Sequence, residues 1–341
     1  MKNVLFTHTD LDGVGCEIIY RLARPASPDR IIISSEIKNI DKNVMNLLKE
    51  IEPSRITFAD ICASNDVLLM LKEAGHVVEI YDHHPTNARC KEVIPEAIII
   101  PEKDGKMECG TSLLYNHYLM IYKMYQSHHI KTQGNPMFDS AYDIACMFEN
   151  SDGMLPLFVD TVRSYDTYEF KQTGNILAKE LNVLFSMLGY KRFADKYVEY
   201  LTVRHTELID STSLEFVRAK MENEMDIINT FTMGDIYKFT LNGLDCGLIF
   251  GTKGTNISEF GYNFLSTHSD DLDVIILADL QGGTFQMRAV KEGIDLGKDI
   301  CVPIGGGGHP KAAGAPIDAN MLETIKYNIK LYLQTNIDYK K

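Results

Sequence analysis

Over the first hundred residues, short apolar runs alternate with stretches of helical spacing, and this alternation restricts the fold more than any other feature. Residues 4–6, 30–33, 55–59, 76–81 and 97–100 read as strands, the last stopped by Pro101. Residues 13–24, 41–51 and 64–74 read as helices, the second on the spacing of Val44, Leu47, Leu48 and Ile51. A βαβα alternation of this kind predicts an α/β domain with a doubly wound, mainly parallel sheet. In that architecture ligands collect outside the carboxyl ends of the strands.

Metal-ligating residue types stand at three of those ends. His8-Thr9-Asp10-Leu11-Asp12-Gly13 follows the first strand, Asp60 the third, and Asp82-His83-His84 the fourth. In the first stretch the ligand types His8, Asp10 and Asp12 alternate with spacers, so their side chains converge if the chain stays extended past the strand. Imidazoles and carboxylates together suit a divalent ion such as Mn or Mg. The competing explanation, aspartates that only cap the next helix, covers one such strand end more readily than three.

Residues 110–201 are mostly helical, with predicted helices over 111–125, 141–149, 155–165, 175–188 and 192–201. Asp166 breaks an apolar periodicity here and, read alone, is a helix cap or a solvated residue. Residues 205–231 read as one long polar helix joining two domains. The domains expected are 1–200, a linker over 201–232, and a smaller α/β domain over 233–341. In the last of these, 236–241, 246–250, 273–279 and 284–290 read as strands, and 258–266 and 320–334 as helices.

The last domain also contains Gly305-Gly306-Gly307-Gly308-His309-Pro310-Lys311. Consecutive glycines cost conformational entropy, and packing gives no reason to choose them. Their expected use is the approach of backbone N–H groups to an anion, with His309 and Lys311 adding a donor and a cation.

Composition narrows the ligand. A net charge of −13 without any Lys- or Arg-rich run argues against a track for long duplex DNA, whereas small phosphorylated molecules held by metals and a few cations stay allowed. Seven dispersed cysteines without a Cys-x-x-Cys pair suggest reduced thiols. No apolar run approaches the ~20 residues of a membrane span, and the opening Met1-Lys2-Asn3-Val4 resembles no signal peptide. The expected location is cytoplasmic, with no membrane partner.

With these pieces placed, the sequence resembles the DHH phosphoesterase superfamily with a C-terminal DHHA1 domain. The motifs are His8 to Gly13, Asp60, Asp82-His83-His84, Asp166, and Gly305 to His309. The segment Arg163-Ser164-Tyr165-Asp166-Thr167-Tyr168-Glu169 and the long linker look most like the oligoribonuclease B (nanoRNase) branch, often described as cyclic-nucleotide phosphodiesterases. The resemblance implies two divalent ions, Mn by preference and Mg as the alternative. It assigns His8, Asp10 and Asp60 to one ion, and Asp12, Asp60, His83 and Asp166 to the other, with Asp60 as the bridge. It makes Asp82 the carboxylate that orients an imidazole. His84 becomes the group that faces the substrate phosphate as donor or general acid. Arg288 and the loop Gly305, Gly306, Gly307, Gly308, His309 and Lys311 would hold substrate.

The function this implies is hydrolysis of very short RNA to nucleoside monophosphates. A cyclic mono- or dinucleotide, or 3′-phosphoadenosine 5′-phosphate, is the alternative substrate, and a non-catalytic nucleotide sensor the reading from another class. A homodimer is compatible with the sequence. His76, His117, His128, His129, His205 and His268 lack carboxylate company and are assigned no chemistry, and Tyr262, Phe264 and Phe285 are read as core.

Overall fold

The first strand forms because Val4, Leu5 and Phe6 are all fully buried, as a central parallel strand covered on both faces requires. The computed structural model describes residues 2–24, 29–127, 136–150, 153–250, 257–280 and 282–336, so His128 and His129 lie outside the described residues. The chain divides into two compact units, Met1–Ala219 and Lys220–Lys341.

The first unit opens with β1 (Asn3–Thr7), α1 (Leu11–Leu22), β2 (Arg30–Ser34), α2 (Ile40–Leu47), β3 (Arg55–Ala59), α3 (Asn65–Glu73), β4 (Val77–Asp82) and β5 (Ile98–Ile99). The strands form one sheet in the order β2-β1-β3-β4-β5 with every pair parallel. The chain leaves β1 toward β2 on one side and then crosses to β3 on the other. The strand order therefore reverses between β1 and β3, which is where such sheets open a crevice at their carboxyl ends. Val4, Phe6, Ile56 and Phe58 pack with Ile40, Val44, Val67 and Leu68 of α2 and α3 in one core cluster.

A small hairpin of β6 (Glu102–Lys103) and β7 (Lys106–Met107) follows. Its turn places Asp104 at φ +52° and Gly105 at φ +76°, the Asp-Gly pair that a tight hairpin selects and that the sequence reading passed over. Then come α4 (Gly110–Gln126), α5 (Pro136–Asn150), α6 (Met154–Asp166), α7 (Glu169–Thr173), α8 (Ile176–Leu188) and α9 (Tyr190–Tyr200). Helix α1 packs on α4, α9 and α6.

The long polar helix begins later than expected, as α10 (Ser211–Thr230). Asp210 sets that start by accepting from the Ser213 N–H at 2.9 Å and from its hydroxyl at 2.7 Å, an N-cap arrangement. The unit boundary falls inside this helix.

The second unit contains β8 (Tyr237–Leu241), β9 (Leu244–Phe250), α11 (Ile257–Thr267), β10 (Val274–Asp279), β11 (Thr284–Ala289), β12 (Gly307–His309), β13 (Ala312–Pro316) and α12 (Ala319–Asn336). Its six-stranded sheet runs β12-β13-β11-β10-β9-β8, with β9 and β10 parallel and the other pairs antiparallel. Phe260, Phe264 and Leu265 of α11 bury one face against Ile249, Ile275 and Leu277.

The glycine run corrects the expectation that packing has no use for it. Gly307 and Gly308 belong to the edge strand β12, paired with Gly314 and Ala313. A Cβ on Gly306 would stand 2.1 Å from the Gly314 carbonyl oxygen, and one on Gly308 2.6 Å from Ala313 Cα. Close strand-to-strand contact therefore demands two of the four glycines, while Gly307 faces open space.

Candidate metal centre

The loop after β1 is tied shut before it presents any ligand. Thr7 Oγ1 donates to the Gly13 carbonyl at 2.8 Å. The Gly13 N–H donates to Asp10 Oδ1 at 2.9 Å, so Asp10 does cap α1. Its second oxygen is spent differently, 2.7 Å from His8 Nδ1. Capping and the contact with His8 are thus divided between the two oxygens of one carboxylate.

Asp12 lies in the first turn of α1 with its side chain fully buried. The Gly110 N–H donates to Oδ2 at 2.6 Å and the Thr111 N–H to Oδ1 at 2.8 Å. The N-terminus of α4, with its unsatisfied N–H groups and positive dipole end, therefore fixes this charge. Gly110 is needed there, because a Cβ would meet Asp60 Cβ at 2.6 Å and Asp12 Oδ2 at 3.0 Å.

Asp60 follows β3 in the left-handed region at φ +60°, its N–H donating to the Tyr81 carbonyl of β4 at 3.0 Å. Strained backbone of this kind persists where the surroundings over-determine it. His83 leaves the end of β4 and places Nε2 3.4 Å from Asp60 Oδ1, 3.5 Å from Asp166 Oδ2 and 3.9 Å from Asp12 Oδ2. These separations are not hydrogen bonds, but they suit donors gathered around a common cation. Asp166 comes from the last residue of α6, so the carboxylate read alone as a cap turns inward.

Among the described residues, three sets each bring their ligand atoms within 4.8 Å of one another: His8, Asp10 and Asp60; Asp12, His83 and Asp166; and Asp60, His83 and His84. Asp60 is common to the first and third, and His83 to the second and third. Asp60 Oδ2, His83 Nε2 and Asp166 Oδ2 are buried without a hydrogen-bond partner. Buried polar atoms are rarely left so, and a bound cation would account for all three.

The electrostatics agree. Burial, then the charges of Asp12, Asp10 and Asp166, push the Asp60 carboxyl well above the usual carboxylate range. Burial, then Asp12, Asp10 and Asp82, does the same to Asp166. Burial pushes the His83 imidazole down, which favours the neutral form that ligates a metal. For Asp10, burial is outweighed by His8 and the Gly13 N–H, and its carboxyl stays below the usual range.

Asp82 does not join the ligand sets. Its Oδ1 accepts from both the backbone N–H and the Nδ1 of His84, each at 2.8 Å. Its Oδ2 accepts from Asn87 Nδ2 at 2.7 Å. Asp82 and His84 are therefore hydrogen-bonded neighbours, with the His84 side chain a third exposed. Against burial, the Asp82 hydrogen bond raises the His84 pKa above its ordinary value. Asn87 was invisible in the sequence, since nothing local marks an asparagine that braces a carboxylate.

In the second unit Arg288 on β11 and His309 on β12 both pair with Ala312 of the intervening β13. Residues directly paired across antiparallel strands share a face, so the two side chains flank a small alanine in one row. Lys311 sends its ammonium to the backbone carbonyl of Lys291, and to that of Val290 at 3.5 Å. The histidines assigned no chemistry have local structural uses: His76 Nδ1 accepts from the Ser54 N–H at 3.1 Å, and the His205 ring stacks on Tyr200 with centroids 3.6 Å apart. Phe264 is core, but Tyr262 is 43% exposed and is not.

No family model matches the chain. It is 25% identical over 334 residues to oligoribonuclease NrnB of Bacillus subtilis, a match that spans 94% of this chain and 74% of the relative. Among solved structures, RecJ in complex with Mn2+ from Thermus thermophilus superposes with a TM-score of 0.53 at 15% identity, over 99% of this chain and 52% of that one. A second exonuclease RecJ bound to manganese gives 0.52 at 15% identity, over 99% and 91%. The pGpG-specific phosphodiesterase PggH of Vibrio cholerae gives 0.51 at 11% identity, over 99% and 100%. The structural likenesses establish the fold, and the sequence likeness runs through both units.

Proposed function

We propose, from the premise that this chain is a metal-dependent phosphoesterase of the DHH/DHHA1 kind resembling the oligoribonuclease B branch, that it hydrolyses very short RNA to nucleoside monophosphates with two Mn ions. The observation that carries the reading is the run of ligand sets linked first through Asp60 and then through His83, with three buried polar atoms lacking a hydrogen-bond partner. His8, Asp10 and Asp60 would hold one ion, and Asp12, Asp60, His83 and Asp166 the other. When bound, such a pair lowers the pKa of water and offsets the charge of a phosphodiester.

The chain's own groups do the rest. The N-terminus of α4 holds and aims the Asp12 carboxylate through the Gly110 and Thr111 N–H groups. His84, fixed at Nδ1 by Asp82, offers its other nitrogen as donor to a phosphate oxygen or to the leaving group. The row of Arg288 and His309, with the open Gly307 backbone, would take a phosphate or a base. The absence of a basic track supports a substrate of few nucleotides, as do relatives named for oligoribonucleotides and pGpG. Seven cysteines that form no disulfide fit a reducing, cytoplasmic setting, and no helix among the described residues is long and apolar enough to cross a membrane.

The test is turnover of a linear dinucleotide, an RNA ladder, cyclic AMP and cyclic di-AMP by the purified chain with Mn. Linear dinucleotides should be cleaved fastest, and dominant turnover of either cyclic substrate would overturn the choice.

A further inference from the structure

Among the described residues, four other than glycine adopt a left-handed backbone: Asp60, Asp104, Tyr168 and Asn242. Asp104 and Asn242 sit in hairpin turns before glycines, where short polar side chains tolerate this region. Asp60 is the ligand shared by two sets. Tyr168, at φ +60° and ψ +10°, is the bulky one, and for a bulky residue this conformation is a genuine outlier.

The position explains the conformation but not the residue. Helix α6 ends at Asp166, and the N–H groups of Thr167 and Tyr168 fold back onto the carbonyls of Arg163 and Tyr165 at 3.0 and 3.1 Å. A residue just past such an end is commonly left-handed and usually glycine. This chain uses glycine at comparable places, with Gly75 following α3 at φ +81° and Gly174 following α7 at φ +70°. The corner is also held firmly. The Arg163 guanidinium reaches Asp160 at 2.8 Å, the Met107 carbonyl at 3.2 Å and the Glu169 carboxylate. The tyrosine is therefore kept in its strained state by its surroundings.

Packing covers only part of the residue. The Tyr168 side chain is 40% exposed. The covered part of the ring meets Phe170, 6.3 Å away between centroids, and the Lys171 ammonium, 5.4 Å from the ring centre. A strained aromatic with two-fifths of its surface open, two residues from Asp166, points to a ligand.

We propose that Tyr168 is a platform on which a nucleobase of the substrate stacks next to the metal centre, with Lys171 alongside for the phosphate. This rests on the reading of the chain as a phosphodiesterase of short nucleotides. Stacking is tolerant of sequence because every base has a π-face, which suits an enzyme that degrades fragments of any composition.

The test compares Tyr168→Gly and Tyr168→Phe in the full chain with Mn and a linear dinucleotide. Tyr168→Gly should raise KM about 5- to 100-fold, the scale of one base–aromatic stack, and change kcat less than about threefold. It should also raise Tm, since glycine relieves the backbone, while Tyr168→Phe keeps the wild-type KM. Tyr168→Gly with KM within twofold of wild type overturns the proposal. So does a KM rise accompanied by a fall in Tm, which would make the tyrosine a brace for the corner. Wild-type protein inert toward every dinucleotide overturns the phosphodiesterase reading and this one together, whereas an active wild type with an unaffected glycine variant overturns this one alone.

Discussion

Asp60→Asn should make the metal-free protein more stable and the manganese-loaded protein less so. The Asp60 carboxylate is almost fully buried, has one oxygen without a partner, and lies within 4.8 Å of the ligand atoms of His8 and Asp10. Two unit charges at that distance repel by about 3.5 kcal/mol at an effective dielectric of 20. Uptake of a proton relieves part of this, which is why its folded pKa is raised. Asparagine keeps the shape and removes the charge, so the gain should be about 1–3 kcal/mol, or roughly 2–12 °C in the melting of the first unit. The raised folded pKa sets the pH dependence. Ionisation works against the metal-free fold, so the advantage of the variant is absent below about pH 4, grows with rising pH, and is full above the folded pKa. Saturating Mn at a hundred times Kd adds about 2.7 kcal/mol per site to the wild type, and most of this should be lost in the variant. Thermal melts of both proteins, with chelator and with Mn at pH 7.5, should therefore cross in rank. Parallel behaviour, with asparagine destabilising in both states or Mn stabilising both equally, would refute the reasoning.

Other outcomes follow from the same geometry. Asp12→Ala should lower kcat more than about 100-fold; because it also strips the α4 N-terminus of its acceptor, it should cost about 0.5–2 kcal/mol in a denaturant titration. His84→Ala should reduce kcat about 10²–10⁴-fold for a dinucleotide while keeping the thermal shift on adding Mn; loss of that shift would make His84 a ligand first. At Asp210, burial opposes the charge but Lys196 and Ser213 outweigh it and hold the carboxyl at about 2. Its stabilising effect is present above about pH 4 and is lost as pH falls through the folded value. Asp210→Asn should thus lower stability at pH 7 by about 0.5–1 kcal/mol, discounted for exposure, and match wild type near pH 2.

The β1–α1 loop, Asp60 and the end of β4 could be read as a site because a parallel sheet puts its strand ends on one edge, and that follows from hydrophobic period alone. Asp166 could not be read this way: a carboxylate at a helix end looks the same whether it faces solvent or a cluster, and only resemblance to a family singled it out. The glycine run was misjudged for a similar reason, since the strand that crowds Gly306 and Gly308 is Ala312–Pro316 and its pairing is a long-range choice. Asn87 and the N–H groups of Gly110 and Thr111 were missed because their partners stand on other segments of the chain.

Local order along the chain thus determined the alternation of strands and helices, the fold class, and which strand ends carry ligand types. The packing of α4 and α6 against the β1–α1 corner decided which carboxylates lose their water, which keep a partner, and which face one another. Those are properties of distance and burial, and no stretch of sequence holds them until the chain has closed on itself.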